Sequence, residues 1–149
     1  MTDLHCTCYR LRKAARRVTQ LYDRHLAGSG LTAGQHGLLT ALAQAGPLPM
    51  GRLSALLGMD ASTLTRNLGP LSARGLVDIR AMDDRRGREA ALTEKGGAAL
   101  TAALKPWRAA QGAISRALGQ ADAALLNELL ARLASDAPAA ARARAKPAD

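Results

Sequence analysis

The sequence contains no phenylalanine, one tryptophan and two tyrosines. A core built without aromatic bulk must be filled by aliphatic side chains, and Ala and Leu supply most of the 48% apolar content. Both rank high in helix propensity, while the aromatic residues that favour sheets are scarce, so the chain reads as mainly helical. Cysteine is almost absent as well. Cys6 and Cys8 stand two residues apart near the start, which excludes a disulfide-stapled scaffold. No run of about 18 apolar residues occurs, so no segment is read as a membrane-spanning helix. The start, MTDLHCTCYRLRKAARR, lacks the apolar stretch and cleavage site of a secretory leader. A cytoplasmic protein with reduced thiols is expected. Acidic residues are in deficit, with 12 Asp and Glu against 21 Lys and Arg and a formal net charge of +9. Such a surplus attracts polyanions, because neutralising phosphates releases condensed counterions.

A length of 149 residues fits one domain with an added arm or tail. Asp3 can cap a first helix running to about Leu26, on which Leu4, Cys8, Leu11, Ala15, Val18 and Tyr22 recur at spacings of four and three. They form one apolar stripe, with Arg10, Arg12, Lys13, Arg16 and Arg17 mostly off it. Thr32 and Gln35 have the spacing of a capping box that opens a second helix, ended by Gly46. Pro47 and Pro49 start a short helix marked by Leu53, Leu56 and Leu57, and Gly58 breaks it. Asp60 then caps ASTLTRNLGPLSARG. Two short helices meeting at a tight turn with glycine make a helix-turn-helix pattern.

After Gly75 the periodicity changes. LVDIRAM and EAALT read as two strands around the charged turn MDDRRGRE, a candidate wing. Thr93 caps a long helix carrying Leu100, Leu104, Trp107, Gln111, Ile114 and Leu118, in which Pro106 should produce a kink or a shifted start. A last helix near Ala121 to Ala134 bears Leu125, Leu126, Leu129, Leu130 and Leu133. The fold class is therefore mainly α with a small β-hairpin wing. The expected division is a helical dimerisation region (residues 1–30 and 97–135), a winged helix-turn-helix domain (31–96) and a disordered tail (136–149). The first and last two helices carry more apolar stripe than one small domain covers, which points to a homodimer.

In the second helix of the pair, Ala61, Leu64, Leu68 and Leu71 share an inward face. Ser62, Thr63, Thr65, Arg66 and Asn67 are left toward solvent or its edge. Hydroxyls at a helix start can bind phosphate with the free amides. Arg pairs with guanine O6 and N7, and Asn with adenine. On the wing, Arg85, Arg86 and Arg88 can enter a narrow minor groove, with Asp84 holding a guanidinium in place. Without those partners, both features read as a solvated helix face and a salt-bridged surface turn.

The stretch Leu31 to Gly96, LTAGQHGLLTALAQAGPLPMGRLSALLGMDASTLTRNLGPLSARGLVDIRAMDDRRGREAALTEKG, resembles the MarR family of repressors, and with the flanking helices the likeness spans most of the chain. The resemblance implies a homodimer joined by its N- and C-terminal helices, with two winged lobes reading a palindromic double-stranded DNA operator. It implies DNA contacts at Ser62, Thr63, Thr65, Arg66 and Asn67, a wing-tip arginine at Arg86, and support from Asp84. Many members of that family bind small aromatic anions in a cleft between the dimer helices and the winged lobe. His36, Arg16 and Arg17 are candidates there.

Cys6 and Cys8 begin the first helix, where the dipole and Arg10 and Arg12 favour thiolate. A thiolate can be oxidised by peroxide and capped by a second thiol. While both are helical they diverge by about 200°, so a bond between them needs the first turn to unwind. The simpler reading of Cys8 is a packed small hydrophobe. The spacing of Cys8 and Tyr22 resembles the organic-hydroperoxide-sensing branch of the same family. The second supporting Tyr of that branch falls at Ala33, and no downstream Cys follows. His5, Cys6 and Cys8, with His25 or His36, make a weak soft-metal set without zinc spacing, so neither metal nor cofactor is expected. Two rival functions remain on sequence alone: a thiol-dependent peroxidase using Cys8, and a winged-helix adaptor that binds protein. Against the enzyme, no phosphate loop, Ser-His-Asp set or paired-carboxylate site is apparent.

Overall fold

The computed structural model describes residues 6–82 and 87–143, with side chains through residue 135. Helix α1 spans Thr7–Leu26 and ends in a single 3-10 turn, Ala27–Ser29. Then follow α2 (Ala33–Ala45), β1 (Leu48–Pro49), α3 (Met50–Leu57), α4 (Ala61–Ala73), β2 (Val77–Ala81), β3 (Arg88–Leu92), α5 (Glu94–Leu118) and α6 (Gln120–Ala143). The chain divides into two compact units, residues 1–110 and 111–149.

Local sequence signals set the boundaries. At the start of α2 the Thr32 hydroxyl accepts from the Gln35 amide at 3.2 Å, and the Gln35 side chain accepts from the Thr32 amide at 3.1 Å. Both ends of the capping box are thus closed, satisfying amides that have no helical partner. The Thr93 hydroxyl accepts from the Gly96 amide at 3.0 Å and donates to the Gly75 carbonyl at 2.7 Å. One side chain therefore starts α5 and ties it to the loop before β2. Gly58 separates α3 from α4 at φ +62°, a left-handed conformation that glycine adopts without a Cβ clash.

Several expectations are revised. Asp3 lies outside the described residues, and the residue preceding α1 is Cys6. Pro106 lies inside α5, which runs from Glu94 through Leu118, so it does not shift the start of the helix. Helix α6 continues to Ala143, so residues 136–143 of the segment expected as a tail are helical. The alanine-rich composition of PAAARA supports that extension despite Pro138. The sheet gains a third strand. Leu48 and Pro49 pair with Ala90 and Glu89, giving the order β1-β3-β2, all antiparallel. Pro49 is tolerated because β1 is an edge strand.

The core of the first unit is nearly all leucine. Leu26 of α1, Leu38, Leu39 and Leu42 of α2, Leu53 of α3, and Leu64, Leu68 and Leu71 of α4 are buried together with Val77 and Ala90. Fully burying each such side chain is worth roughly 1.5–3 kcal/mol relative to exposure. The α4 leucines sit at spacings of four and three, so the opposite face of α4 must point outward.

Gly96 records how tightly α5 approaches the sheet. A Cβ there would press against the Leu76 carbonyl oxygen and Leu92 Cδ1, whereas a Cβ at Gly97 meets open space. Gly96→Ala is expected to lower stability by about 1–3 kcal/mol through overpacking. Gly97→Ala is expected to raise it by roughly 0.4–1 kcal/mol through a less flexible unfolded chain. Urea unfolding midpoints check both, and equal shifts in the same direction would contradict this packing.

Candidate nucleic-acid interface

The start of α4 is organised by Asp60. Its Oδ1 accepts from the Thr63 amide at 2.8 Å and from the Ser62 hydroxyl at 2.7 Å, and its Oδ2 accepts from the Thr63 hydroxyl at 2.8 Å. Donation by Ser62 and by Thr63 holds the carboxyl well below the usual carboxylate range. The Thr63 hydroxyl also accepts from Arg66 Nη2 at 3.2 Å. A chain of polar contacts therefore runs from Arg66 through Thr63 to Asp60 and orients the guanidinium along the first turn.

The five positions expected on the reading face separate into two groups. Ser62, Thr65 and Arg66 are exposed and, with Ala61, line one shallow surface. Thr65 donates its hydroxyl to the Ala61 carbonyl at 2.9 Å but keeps lone pairs outward. Thr63 and Asn67 are half-buried. Asn67 points its amide at Met59 Sδ, 3.7 Å away, across the turn between α3 and α4. The Ser62 and Thr63 hydroxyls donate to Asp60, so a phosphate meeting this helix start finds Thr65 and Arg66 more open to it than those two.

The wing is the β2–β3 hairpin. Its register pairs Arg80 with Glu89, and Arg80 Nε donates to Glu89 Oε1 at 2.6 Å. Sequence reading did not single out this pair, although the two residues become cross-strand neighbours once the strand register is known. Arg88 is exposed at the start of β3. It shares the lining of a cavity of about 460 Å³ with Ala61, Thr65 and Gly69 of α4, Met50 of α3 and Ile79 of β2. The hairpin base and the outer face of α4 thus border one groove. Asp84, Arg85 and Arg86 lie outside the described residues.

Two other basic groups near the helix pair are engaged within the fold. Arg74 Nη1 donates to the Gly30 carbonyl at 2.8 Å, and Lys95 Nζ donates to the Arg74 carbonyl at 2.8 Å. Nothing in the residue pattern distinguishes these cations from those free to meet a ligand.

Both thiols are free and exposed in the single chain. Cys6 sits at the helix cap in an extended conformation, φ −56° and ψ 126°, so the 200° divergence of two helical residues does not apply. The amides of Tyr9 and Cys8 lower the Cys6 pKa, although neither reaches full hydrogen-bond geometry. Cys8 and Tyr22 occupy the same continuous helix, 14 residues and about 21 Å apart along its axis. Within one protomer they cannot touch.

His36 is buried against Trp107, with ring centroids 5.7 Å apart and planes inclined by 12°. Desolvation pushes its pKa down, favouring the neutral ring. The two rings border a cavity of about 300 Å³ with Thr40, Leu100, Thr101 and Leu104. Arg16 and Arg17 line a different surface, so the expected cluster with His36 does not form. Among the described residues no group of three His, Cys, Asp or Glu side chains could hold a metal.

Asp60 gives a pH test of this organisation. With its pKa depressed by folding, its stabilising effect is fully present above the unfolded value near 3.8 and is lost as pH falls through the folded one. The gap in urea midpoint between wild type and Asp60→Ala should be constant from neutral pH to about pH 4 and narrow below it. A gap that widens on acidification would contradict the assignment.

Comparison with known proteins follows this geometry. Residues 29–88 match the MarR family. No curated protein matches the sequence significantly. Among solved structures, the Mycobacterium tuberculosis transcriptional regulator MosR in complex with DNA is 38% identical, with a TM-score of 0.83 over 91% of this chain and 98% of that one. A probable transcriptional regulator from Pseudomonas aeruginosa is 32% identical, with a TM-score of 0.79 over 87% and 97%. The transcriptional repressor CouR bound to a 23-mer duplex is 26% identical, with a TM-score of 0.78 over 90% and 99%. With its helix pair, its wing and a relative at this identity along nearly the whole chain, the protein belongs to the MarR family of DNA-binding transcriptional regulators, a family of regulators and not of enzymes.

Proposed function

We propose that the protein is a sequence-specific repressor that binds a palindromic operator as a homodimer and is released by thiol oxidation or by a small aromatic ligand. The observation that carries the DNA reading is the exposed surface of Ser62, Thr65 and Arg66, whose Thr65 also borders, with Arg88, the groove at the hairpin base. An α-helix presenting such groups from its first two turns fits the major groove, where Arg66 can pair with guanine. Thr63 and Asn67 support the helix start and the turn in this reading. Arg86 enters the adjacent minor groove, with Asp84 orienting it and Arg85 and Arg88 on flanking phosphates. Residues 31–96 form the reading domain.

The dimer is supported by an uncovered apolar row. Leu125, Leu126, Leu129, Leu130 and Leu133 of α6 are each at least 40% exposed. Leaving five leucines in water is costly, and a second copy of the same row can cover them. Residues 1–30 and 97–135 then make the dimerisation region, and the two-fold axis matches a palindrome.

Two release routes have a place in the chain. In the first, the Cys6 thiolate attacks an organic hydroperoxide, cleaving its O–O bond to give a sulfenic acid and an alcohol. The Cys8 thiol then displaces water and forms a disulfide, which distorts the start of α1. Tyr22 takes part only across two copies, since α1 keeps it far from Cys8 in one protomer. In the second route, a small aromatic anion enters the cavity beside His36 and Trp107, whose paired rings favour a flat ligand.

Selection of bound duplexes from fragmented genomic DNA, with and without hydroperoxide, tests the reading. A single enriched inverted repeat is expected, lost on oxidation. Arg66→Ala and Arg86→Ala should each weaken binding to that repeat by about tenfold or more while leaving the dimer intact. Unchanged affinity in both variants would remove the proposed contacts. Cys6→Ser should abolish peroxide release. Cys8→Ser should leave a sulfenic acid that a dimedone probe captures at Cys6. Release that persists in Cys6→Ser would end the thiol route.

A further inference from the structure

The excess positive charge does not sit on the domain that reads the grooves. Residues 31–96 hold eight Lys and Arg against six Asp and Glu, a net of +2. Helix α1 alone holds six Lys and Arg against one Asp, a net of +5 in 20 residues. Its single acid, Asp23, accepts from the Ala33 amide at 2.7 Å, where it serves the start of α2.

The cations on α1 are arranged, not scattered. Lys13, Arg16, Arg17, Gln20 and Arg24 are all exposed and line one continuous surface. At about 100° per residue they fall within an arc of roughly 100°, and that arc is opposite the stripe of Leu11, Ala15, Val18 and Tyr22. Covering the apolar stripe, by the core or by a second copy, therefore leaves the basic stripe in water. Among the described residues, Lys13, Arg16, Arg17 and Arg24 have no carboxylate within ion-pair distance. Four unneutralised cations along about 16 Å repel one another, a cost that a polyanion removes.

We infer that this stripe is a second binding surface for the phosphate backbone of double-stranded DNA, distinct from α4 and the wing and able to hold another duplex. The inference rests on the DNA-binding reading above. An extended row suits a repeating anion better than a single small one, and about 16 Å of duplex axis presents on the order of nine phosphates. Helix α2 packs against both α1 and α4 and lies between them. At its C-terminal end α1 turns Tyr22 and Leu26 to that core, as α4 turns Leu64, Leu68 and Leu71, so the stripe and the reading face both look away from it. A duplex in the grasp of α4 is then not the one that meets α1. Contacts along the stripe read no base edges, so they are independent of sequence.

A two-duplex capture experiment tests this with the full chain. A biotinylated random-sequence duplex of about 30 base pairs is immobilised and loaded with protein, and a fluorescent duplex of unrelated sequence is then added. Wild type should retain the second duplex at low salt and release it steeply as salt rises. The variant K13Q/R16Q/R17Q/R24Q should load on the first duplex yet capture about tenfold less of the second or worse. The charge-conserving variant R16K/R17K/R24K should capture it as wild type does, which separates charge from folding. Equal capture by the glutamine variant would overturn the stripe while leaving the DNA-binding reading intact. Wild type that fails to load on the first duplex under any salt condition would overturn that reading and the stripe with it. A fluorescent polyglutamate that displaces the second duplex from wild type at equal charge concentration would overturn DNA as the partner and assign the surface to an acidic protein.

Discussion

The leucines of α4 decide what the molecule can present. Leu64, Leu68 and Leu71 are fully buried in a core that also holds Leu26, Leu38, Leu39, Leu42 and Leu53. Losing one of them to a smaller residue costs roughly 2–5 kcal/mol, a large part of the stability of a domain this size. Rotating α4 by nearly half a turn would expose all three and turn Thr65 and Arg66 toward the core. The apolar face therefore fixes the direction of the polar face, and no feature of the surface has to do so. Asp60 then fixes where the helix begins, and so how far Arg66 stands from its end.

The same constraint divides the polar groups of α4 into those that hold the helix and those that remain for a ligand. The hydroxyls of Ser62 and Thr63 donate to Asp60, and Asn67 leans on Met59. Thr65, Arg66 and, across the groove, Arg88 are left. Charge follows a similar division: Arg74 and Lys95 bind backbone carbonyls, Arg80 binds Glu89, and among the described residues Lys13, Arg16, Arg17 and Arg24 of α1 have no carboxylate within ion-pair distance.

Much of this was legible in the residues. The capping box at Thr32, the cap at Asp60, the glycine between α3 and α4 and the leucine spacings each mark a local event with a short-range cause, so reading them in order yields the helix pair and the hairpin. What the sequence did not disclose depends on long-range geometry. The strand at Leu48 and Pro49 is two residues long and exists only because Ala90 and Glu89 lie beside it. The pairing of His36 with Trp107 joins positions 71 residues apart in the chain. The place of Cys6 at the helix cap, where neighbouring amides lower its pKa, turned on the helix starting at Thr7. Family likeness picked out five candidate positions on α4, and hydrogen bonding within the fold is what ties the Ser62 and Thr63 hydroxyls to Asp60 and Asn67 to Met59.

Amide hydrogen exchange of the full chain, free and bound to a duplex recovered from genomic selection, tests the central claim most directly. If the buried leucines aim α4 at DNA, binding should slow exchange in residues 61–67 and at the hairpin around residues 82–88, with little change in α2. Slowed exchange confined to α2 or to β1, with α4 unaffected, would show that the leucine core turns a different face of the molecule toward the duplex.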